Sequence, residues 1–432
     1  MDYMINNVTV VTLDENDTVL EDAFVGIRDG KVVFLSQCQP KMAVKEQIDG
    51  KGKVLMPGLI NAHTHLPMSL MRGYADDCPL KAWLFDHIFP VEAKLDSRCA
   101  KAGMLLGIAE CLRFGITSVS DMYLFLPEAS EAARETGIKA NLSIGAVCQE
   151  SDGYEFENDK AYHQMRAAIE KNAETSGLVR TDVGIHAEYT SCEKLWRGCS
   201  EFASRYGLNI HLHLSETESE HLECIERYGM TPAALMEKYG VFNHRTSAAH
   251  CVYISEEDMD ILREKQVTAI HNPVSNLKLG SGFAPVKRML EKGVRVALGT
   301  DGACSNNSLD LFEEIKLSAL LQKGLSRDPA AVSATSALKM ATGAGAYAQG
   351  RENECGMIKE GMDADLIMLD FSQPWMQPVH DVHSSLCYCA HGSDVVMTMV
   401  RGRVLYRDGV FITIDIEKLL AEIKSYVIPK LF

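Results

Sequence analysis

Met56-Pro-Gly-Leu-Ile-Asn-Ala-His63-Thr-His65-Leu-Pro67 contains a turn at Pro57-Gly58, a short apolar strand, and two imidazoles where that strand ends. Alternate residues of a strand project to the same face, so His63 and His65 can converge on one metal ion. An isolated His-x-His is more often a pair of loop histidines bonded to backbone. Here strand ends elsewhere in the chain supply further ligands in a workable order.

Working outward, the apolar run at 58–62 is the first of eight strand candidates. The others lie at 116–121, 139–146, 182–187, 208–214, 246–251, 267–271 and 294–300, with room for a helix between most neighbours. Residues 96–114 predict one such helix: Met104, Leu105, Ile108 and Leu112 recur at helical spacing, and Gly115 suits its C-terminal cap. Eight β/α units over residues 57–356 predict an α/β fold of the TIM (β/α)8 barrel type. The flanks read differently. Ala23-Phe-Val-Gly-Ile and Lys31-Val-Val-Phe-Leu enclose the hairpin signal Arg28-Asp29-Gly30. After about residue 356, Ala364-Asp-Leu-Ile-Met-Leu, Val395-Val-Met-Thr-Met-Val400 and Arg403-Val-Leu-Tyr406 are again strand-like, with turns at Arg401-Gly402 and Asp408-Gly409. Residues 1–56 and 357–432 therefore predict one small β domain built from both chain ends.

The 432 residues are 46% hydrophobic and 24% charged, an ordinary globular balance. A formal net charge of −16 with no basic stripe argues against a nucleic-acid partner. Thirteen irregularly spaced cysteines argue against a disulfide framework and suit reduced thiols in a cytoplasmic protein. The N-terminal segment lacks the basic and apolar regions of a signal peptide, and no apolar run reaches membrane-spanning length, so no membrane partner is expected. The composition is compatible with a homo-oligomer.

In a barrel of this kind the chemistry sits at the C-terminal ends of the strands. Those ends hold His63 and His65 on the first strand, His186 on the fourth, His213 on the fifth, His250 on the sixth and Asp301 on the eighth. Three histidines and a carboxylate make a zinc or iron(II) site with room for water. His211 shares a face with His213 but lies deeper, so His213 is the expected ligand and His211 the interior filler. Glu216 follows where the chain leaves the fifth strand, placed to overhang the metal without ligating it. A divalent metal lowers the pKa of a bound water towards neutrality, and hydrolysis of a small aminated ring then needs two separate proton carriers. Asp301 is assigned as ligand and proton acceptor, Glu216 as the acid for a ring nitrogen, and His250 as hydrogen-bond partner of the attacking water.

Pro57-Gly-Leu-Ile-Asn-Ala-His63-Thr-His65, Leu212-His213-Leu-Ser-Glu216-Thr217, Ala249-His250-Cys251, His271-Asn-Pro-Val-Ser-Asn276-Leu-Lys-Leu-Gly280 and Gly299-Thr-Asp301-Gly302 together resemble the amidohydrolase superfamily. The similarity is greatest to its 5-methylthioadenosine/S-adenosylhomocysteine deaminases and spans nearly the whole chain, including Gly361-Met-Asp-Ala-Asp-Leu-Ile. The resemblance implies a distorted barrel with a composite β-sandwich and one metal, usually zinc, on His63, His65, His213 and Asp301. No lysine ends the fourth strand, where two-metal relatives carry a carbamylated one. The resemblance further implies substrate contacts from Glu92 to the ribose hydroxyls and from Glu216, Asp301 and His186 to the purine, with Trp83 as a wall of the nucleoside pocket.

One departure bears on the substrate. Members that accept S-adenosylhomocysteine place an arginine on the loop after the third strand. Here that loop, Cys148-Gln-Glu-Ser-Asp-Gly-Tyr-Glu-Phe-Glu-Asn158, is acidic and has none; Arg180, ahead of the fourth strand, is the substitute to check. The resulting expectation is deamination of methylthioadenosine, adenosine or 5′-deoxyadenosine in preference to S-adenosylhomocysteine. The competing readings are a hydrolase of another aminated or chlorinated ring (guanine, an oxidised purine, a pterin, a triazine) and a non-catalytic homologue.

Overall fold

The computed structural model describes residues 1–41, 43–78, 82–148 and 151–432. Eight parallel strand positions surround the barrel axis: Leu59–Thr64, Ile116–Met122, Lys139–Ser143, a split fourth strand of Val179–Thr181 and Val183–Ile185, then Ile210–Leu214, Thr246–His250, Thr268–His271 and Arg295–Leu298. Nearly every residue in them is buried, as expected of strands covered on both faces by packed side chains and helices.

The ring is distorted in one definable place. Thr181 pairs back to Leu142 while Val183 pairs forward to Ile210, so the hydrogen-bonded ladder breaks at Asp182 into a four-stranded and a five-stranded sheet. The Asp182 amide bonds to the Leu142 carbonyl at 2.9 Å, and its carboxylate accepts from the Asn141 side chain. Two isolated parallel bridges, Ala146 to Ile185 and Thr64 to Asp301, rejoin the sheets and close the barrel.

Element limits differ slightly from expectation. The first strand runs on to Thr64, and the fourth begins at Val179, because Val179–Thr181 pairs with the third strand before the break. The helix expected over 96–114 spans Ser97–Arg113, capped by the Asp96 side chain accepting from the Cys99 amide at 2.8 Å. Gly115 follows in the left-handed conformation, φ 81°.

Both chain ends share one nine-stranded sheet. Lys53–Pro57, which leads directly into the first barrel strand, pairs parallel with Tyr3–Val11 and antiparallel with Leu366–Asp370. The chain then enters the barrel through Gly58, where a Cβ would lie 2.2 Å from the Thr117 side chain, so only glycine fits. The hairpin turns Asp29-Gly30, Arg401-Gly402 and Asp408-Gly409 all have positive φ at both residues, the geometry anticipated from their Asp-Gly and Arg-Gly signals. The first two meet: a Cβ on Gly30 would lie 2.9 Å from the Arg401 carbonyl oxygen. The sheet thus curls over a core of its own that includes Val25, Val32, Leu55, Met368 and Met397. No helix among the described residues is long and apolar enough to cross a membrane.

Candidate active site

The C-terminal rim of the barrel brings His63, His65, His213, His250 and Asp301 together. Ligating atoms of His63, His65 and His213 lie within 4.8 Å of one another, as do those of His63, His250 and Asp301. Asp301 Oδ1 is 3.4 Å from His63 Nε2 and 3.1 Å from His65 Nε2, and His213 Nε2 is 3.3 Å from His65 Nε2.

Each ligand is aimed by its neighbours. The His65 Nδ1 contacts the carbonyl of Met122, the last residue of the second strand, and His213 Nδ1 lies 2.6 Å from the His186 carbonyl at the end of the fourth. A nitrogen facing a carbonyl must carry the proton, so in each ring Nε2 is the atom turned to the centre and the one that can ligate. His63 Nδ1 is 2.8 Å from His211 Nε2, so the residue expected only to fill the interior also orients a ligand. Asp301 Oδ2 accepts from the hydroxyls of Ser275 at 2.6 Å and Ser305 at 2.7 Å, which leaves Oδ1 to the imidazoles.

Such a convergence of acceptors requires a cation. His63 Nε2 is buried with no hydrogen-bond partner. Burial lowers the His63 pKa to about 3, and that of His213 well below the ordinary histidine range. Burial also opposes protonation of His65, but the hydrogen bond and charge of Asp301 outweigh it and raise its pKa to about 9. A proton on His65 is what a metal would displace. Three imidazoles and one carboxylate suit a single divalent ion. His250, Asp301, Cys251 and Ser215 all have positive φ, so backbone strain is concentrated where the strands deliver these side chains.

Glu216 lies beside this cluster. Its Oε2 is 3.8 Å from His250 Nε2, and its Oε1 accepts from Ser281 at 3.2 Å. Burial pushes its carboxyl pKa upward. Glu220 fixes the turn that presents it: its two oxygens accept from the Ser215 and Glu216 amides at 2.9 and 2.7 Å. His250 Nδ1 is 2.8 Å from Asn276 Oδ1.

The cluster opens into a cavity of about 330 Å³. His186, Glu92 and Trp83 line it together with Glu216, His65, His213, His250 and Asp301. Burial takes the His186 pKa down to about 4, so its ring is neutral, and its Nδ1 is 2.9 Å from the Thr190 hydroxyl. Glu92 Oε1 accepts from the Tyr123 hydroxyl at 2.5 Å, a partner not anticipated from the sequence. Arg180 is elsewhere: it bonds the Gly350 carbonyl and Glu354 and does not line the cavity. Of the acidic loop after the third strand, Gln149 and Glu150 lie outside the described residues.

Residues 54–405 match the profile of the amidohydrolase family. A 5-methylthioadenosine/S-adenosylhomocysteine deaminase of Caldanaerobacter subterraneus subsp. tengcongensis is 41% identical over 425 residues, 98% of each chain. A 5′-deoxyadenosine deaminase of Methanosarcina mazei is 42% identical over 423 residues, 98% of this chain and 96% of its own. The crystal structure of an adenosine deaminase from Xanthomonas campestris with bound zinc superposes with a TM-score of 0.94 at 32% identity, covering 99% of this chain and 98% of that one. Matched along almost its whole length, and with the metal-binding cluster in place, the chain belongs to the amidohydrolase family, close to its 5-methylthioadenosine/S-adenosylhomocysteine deaminases, and is a metal-dependent aminohydrolase.

Proposed function

We propose that the protein hydrolyses the 6-amino group of adenosine-type nucleosides, giving the inosine analogue and ammonia. The observation that carries this reading is that Glu92, a carboxylate suited to ribose hydroxyls, shares one cavity with Glu216 and the histidine–aspartate cluster. One oxygen of Glu92 is taken by Tyr123, and the other is left for the sugar. His186 contacts the purine, and Trp83 walls the pocket.

A divalent ion, zinc or iron(II), held by His63, His65, His213 and Asp301 would acidify a water molecule at the cavity floor. His250 holds that water by a hydrogen bond, and Asp301 takes its proton. The neighbouring imidazoles keep the Asp301 carboxyl far below the ordinary range despite its burial, so it holds the proton only in transit and passes it towards the leaving amine. Glu216, whose burial favours the protonated form, gives its proton to the ring nitrogen and makes the adjacent carbon electrophilic.

Substrate preference follows from the rim. Phe85, Phe89, Leu124, Val147 and Tyr189 are exposed there, and no lysine or arginine is among the described residues lining the cavity. A compact apolar 5′ substituent matches this rim, whereas an amino-acid carboxylate finds no cation. Methylthioadenosine, 5′-deoxyadenosine and adenosine are therefore placed ahead of S-adenosylhomocysteine. The acidic surface favours a small-molecule partner over nucleic acid, and the many thiols fit a cytoplasmic setting. Ammonia release from a panel of purine nucleosides and free bases, using metal-replete protein, tests the reading. Activity confined to free bases would overturn it, and equal kcat/KM for S-adenosylhomocysteine and methylthioadenosine would overturn the ranking.

A further inference from the structure

Two thiols lie in contact beside residues that line this cavity, and no catalytic step uses them. The sulfur atoms of Cys148 and Cys192 are 2.8 Å apart, against about 2.05 Å for a bonded pair. Cys148 follows the third barrel strand, and Cys192 caps the N-terminus of the helix Glu193–Tyr206. The backbone already runs side by side from the barrel up to the two sulfurs. Ala146 donates to the Gly184 carbonyl at 3.1 Å, His186 to the Ala146 carbonyl at 3.0 Å, and Cys148 to the Thr190 carbonyl at 2.8 Å.

Both segments carry cavity residues. Val147 precedes Cys148, and Thr190, whose hydroxyl lies 2.9 Å from His186 Nδ1, stands two residues before Cys192. Cys192 is half-buried while Cys148 is buried, so an incoming reagent meets Cys192 first.

We propose that Cys148 and Cys192 form a reversible disulfide that cross-links two loops of the cavity wall and changes the affinity for substrate. With a low-molecular-weight disulfide as oxidant, the Cys192 thiolate attacks one of its sulfurs, forming a mixed disulfide and releasing one thiol. The Cys148 thiolate then attacks Cys192 Sγ and releases the second thiol. Two electrons pass to the oxidant, and the two protons lost by the protein thiols appear on the released thiols. The bond draws the Val147 segment towards Thr190 and fixes the spacing of the wall on which His186 rests.

The test uses metal-replete full-length protein incubated with oxidised glutathione or with dithiothreitol, then digested without reduction and weighed. Oxidation is expected to yield one cross-linked peptide joining Cys148 to Cys192, 2 Da lighter than its two thiol peptides together. The exposed Cys38 should report, by glutathionylation, that the oxidant acted. KM for the nucleoside should shift by about threefold or more with metal content unchanged, dithiothreitol should reverse the shift, and Cys192→Ser should abolish both peptide and shift while keeping the reduced enzyme's activity. Glutathionylated Cys38 without the cross-linked peptide would overturn the proposal, as would a KM shift that persists in Cys192→Ser or a cross-link that leaves KM unmoved. The peptide readout does not depend on the substrate assignment, so failure of that assignment would be seen separately.

Discussion

The Asp301 amide donates to the His63 carbonyl at 3.0 Å. This backbone bond joins the last barrel strand to the first, beside the Asn61–Thr300 and Thr64–Asp301 contacts, and the same two residues supply facing metal-binding atoms. Barrel closure and metal binding are therefore coupled. Removing the metal with a chelator should abolish ammonia release and lower the unfolding temperature, and zinc or iron(II) should restore both. At a free metal concentration a thousandfold above Kd, the stabilisation is about 4 kcal/mol. A chelator-treated protein that kept its full activity would exclude the metal site.

Ser275 and Ser305 hold the far oxygen of Asp301. Ser275→Ala removes one of these two bonds without touching the ion. Loss of such an outer hydrogen bond typically weakens metal affinity about 10–100-fold. Competition with a chromophoric chelator measures this directly. The saturated variant should recover most of its kcat, which separates weakened binding from damaged chemistry.

Glu216 is the proposed proton carrier and stands 3.8 Å from His250. Glu216→Gln keeps its shape and its bond to Ser281 but has no proton to give. Its kcat should fall by about 10²–10⁴-fold with bound metal unchanged. Because burial raises the Glu216 pKa, the wild-type rate should decline as pH rises through that raised value, and Glu216→Gln should lose this alkaline limb. A pH–rate profile of kcat for both proteins is the check.

The convergence of the candidate ligands was legible because a parallel barrel delivers every strand's C-terminal end to one rim. Knowing which residue ends each strand is then enough to place His63, His65, His213, His250 and Asp301 in one ring. What orients them was not legible. His65 on Met122, His213 on the His186 carbonyl, and Glu92 on Tyr123 are pairings between neighbouring segments whose register no periodicity specifies. In sequence Glu220 is one more acid beside Glu216 and Glu218, and only the positive φ of Ser215 explains why the turn needs its carboxylate. The break at Asp182 was invisible for a related reason. The apolar pattern continues through it, and the ladder is what changes partners.

Glu92→Gln tests the sugar contact. A hydrogen bond to a charged group contributes about 1.5–3 kcal/mol, so nucleoside kcat/KM should fall roughly 10–100-fold, mostly through KM. Any activity on the free base should be unaffected, because the base alone does not reach a ribose-binding group. An equal loss on nucleoside and base would assign Glu92 to structure instead.

Lys139 joins the barrel to the two-ended sheet. It begins the third barrel strand, is fully buried, and its Nζ lies 2.6 Å from Asp365 and 2.8 Å from Asp363. Lys139→Met would leave two carboxylates without their buried partner, at a cost of about 3–5 kcal/mol. The pH dependence identifies the pair. Burial raises the Asp363 pKa, but the charge and hydrogen bond of Lys139, aided by Lys31, outweigh it and bring the value to about 2, below the ordinary 3.8. Stability from this group is thus present above about pH 4 and is lost as pH falls through 4 towards 2, worth about 1 kcal/mol once the solvent-facing side is discounted. Denaturant unfolding of wild type and Lys139→Met across pH 2–6 should show the variant less stable at pH 6 and flatter below pH 4. Parallel curves would mean that Lys139 acts through packing alone.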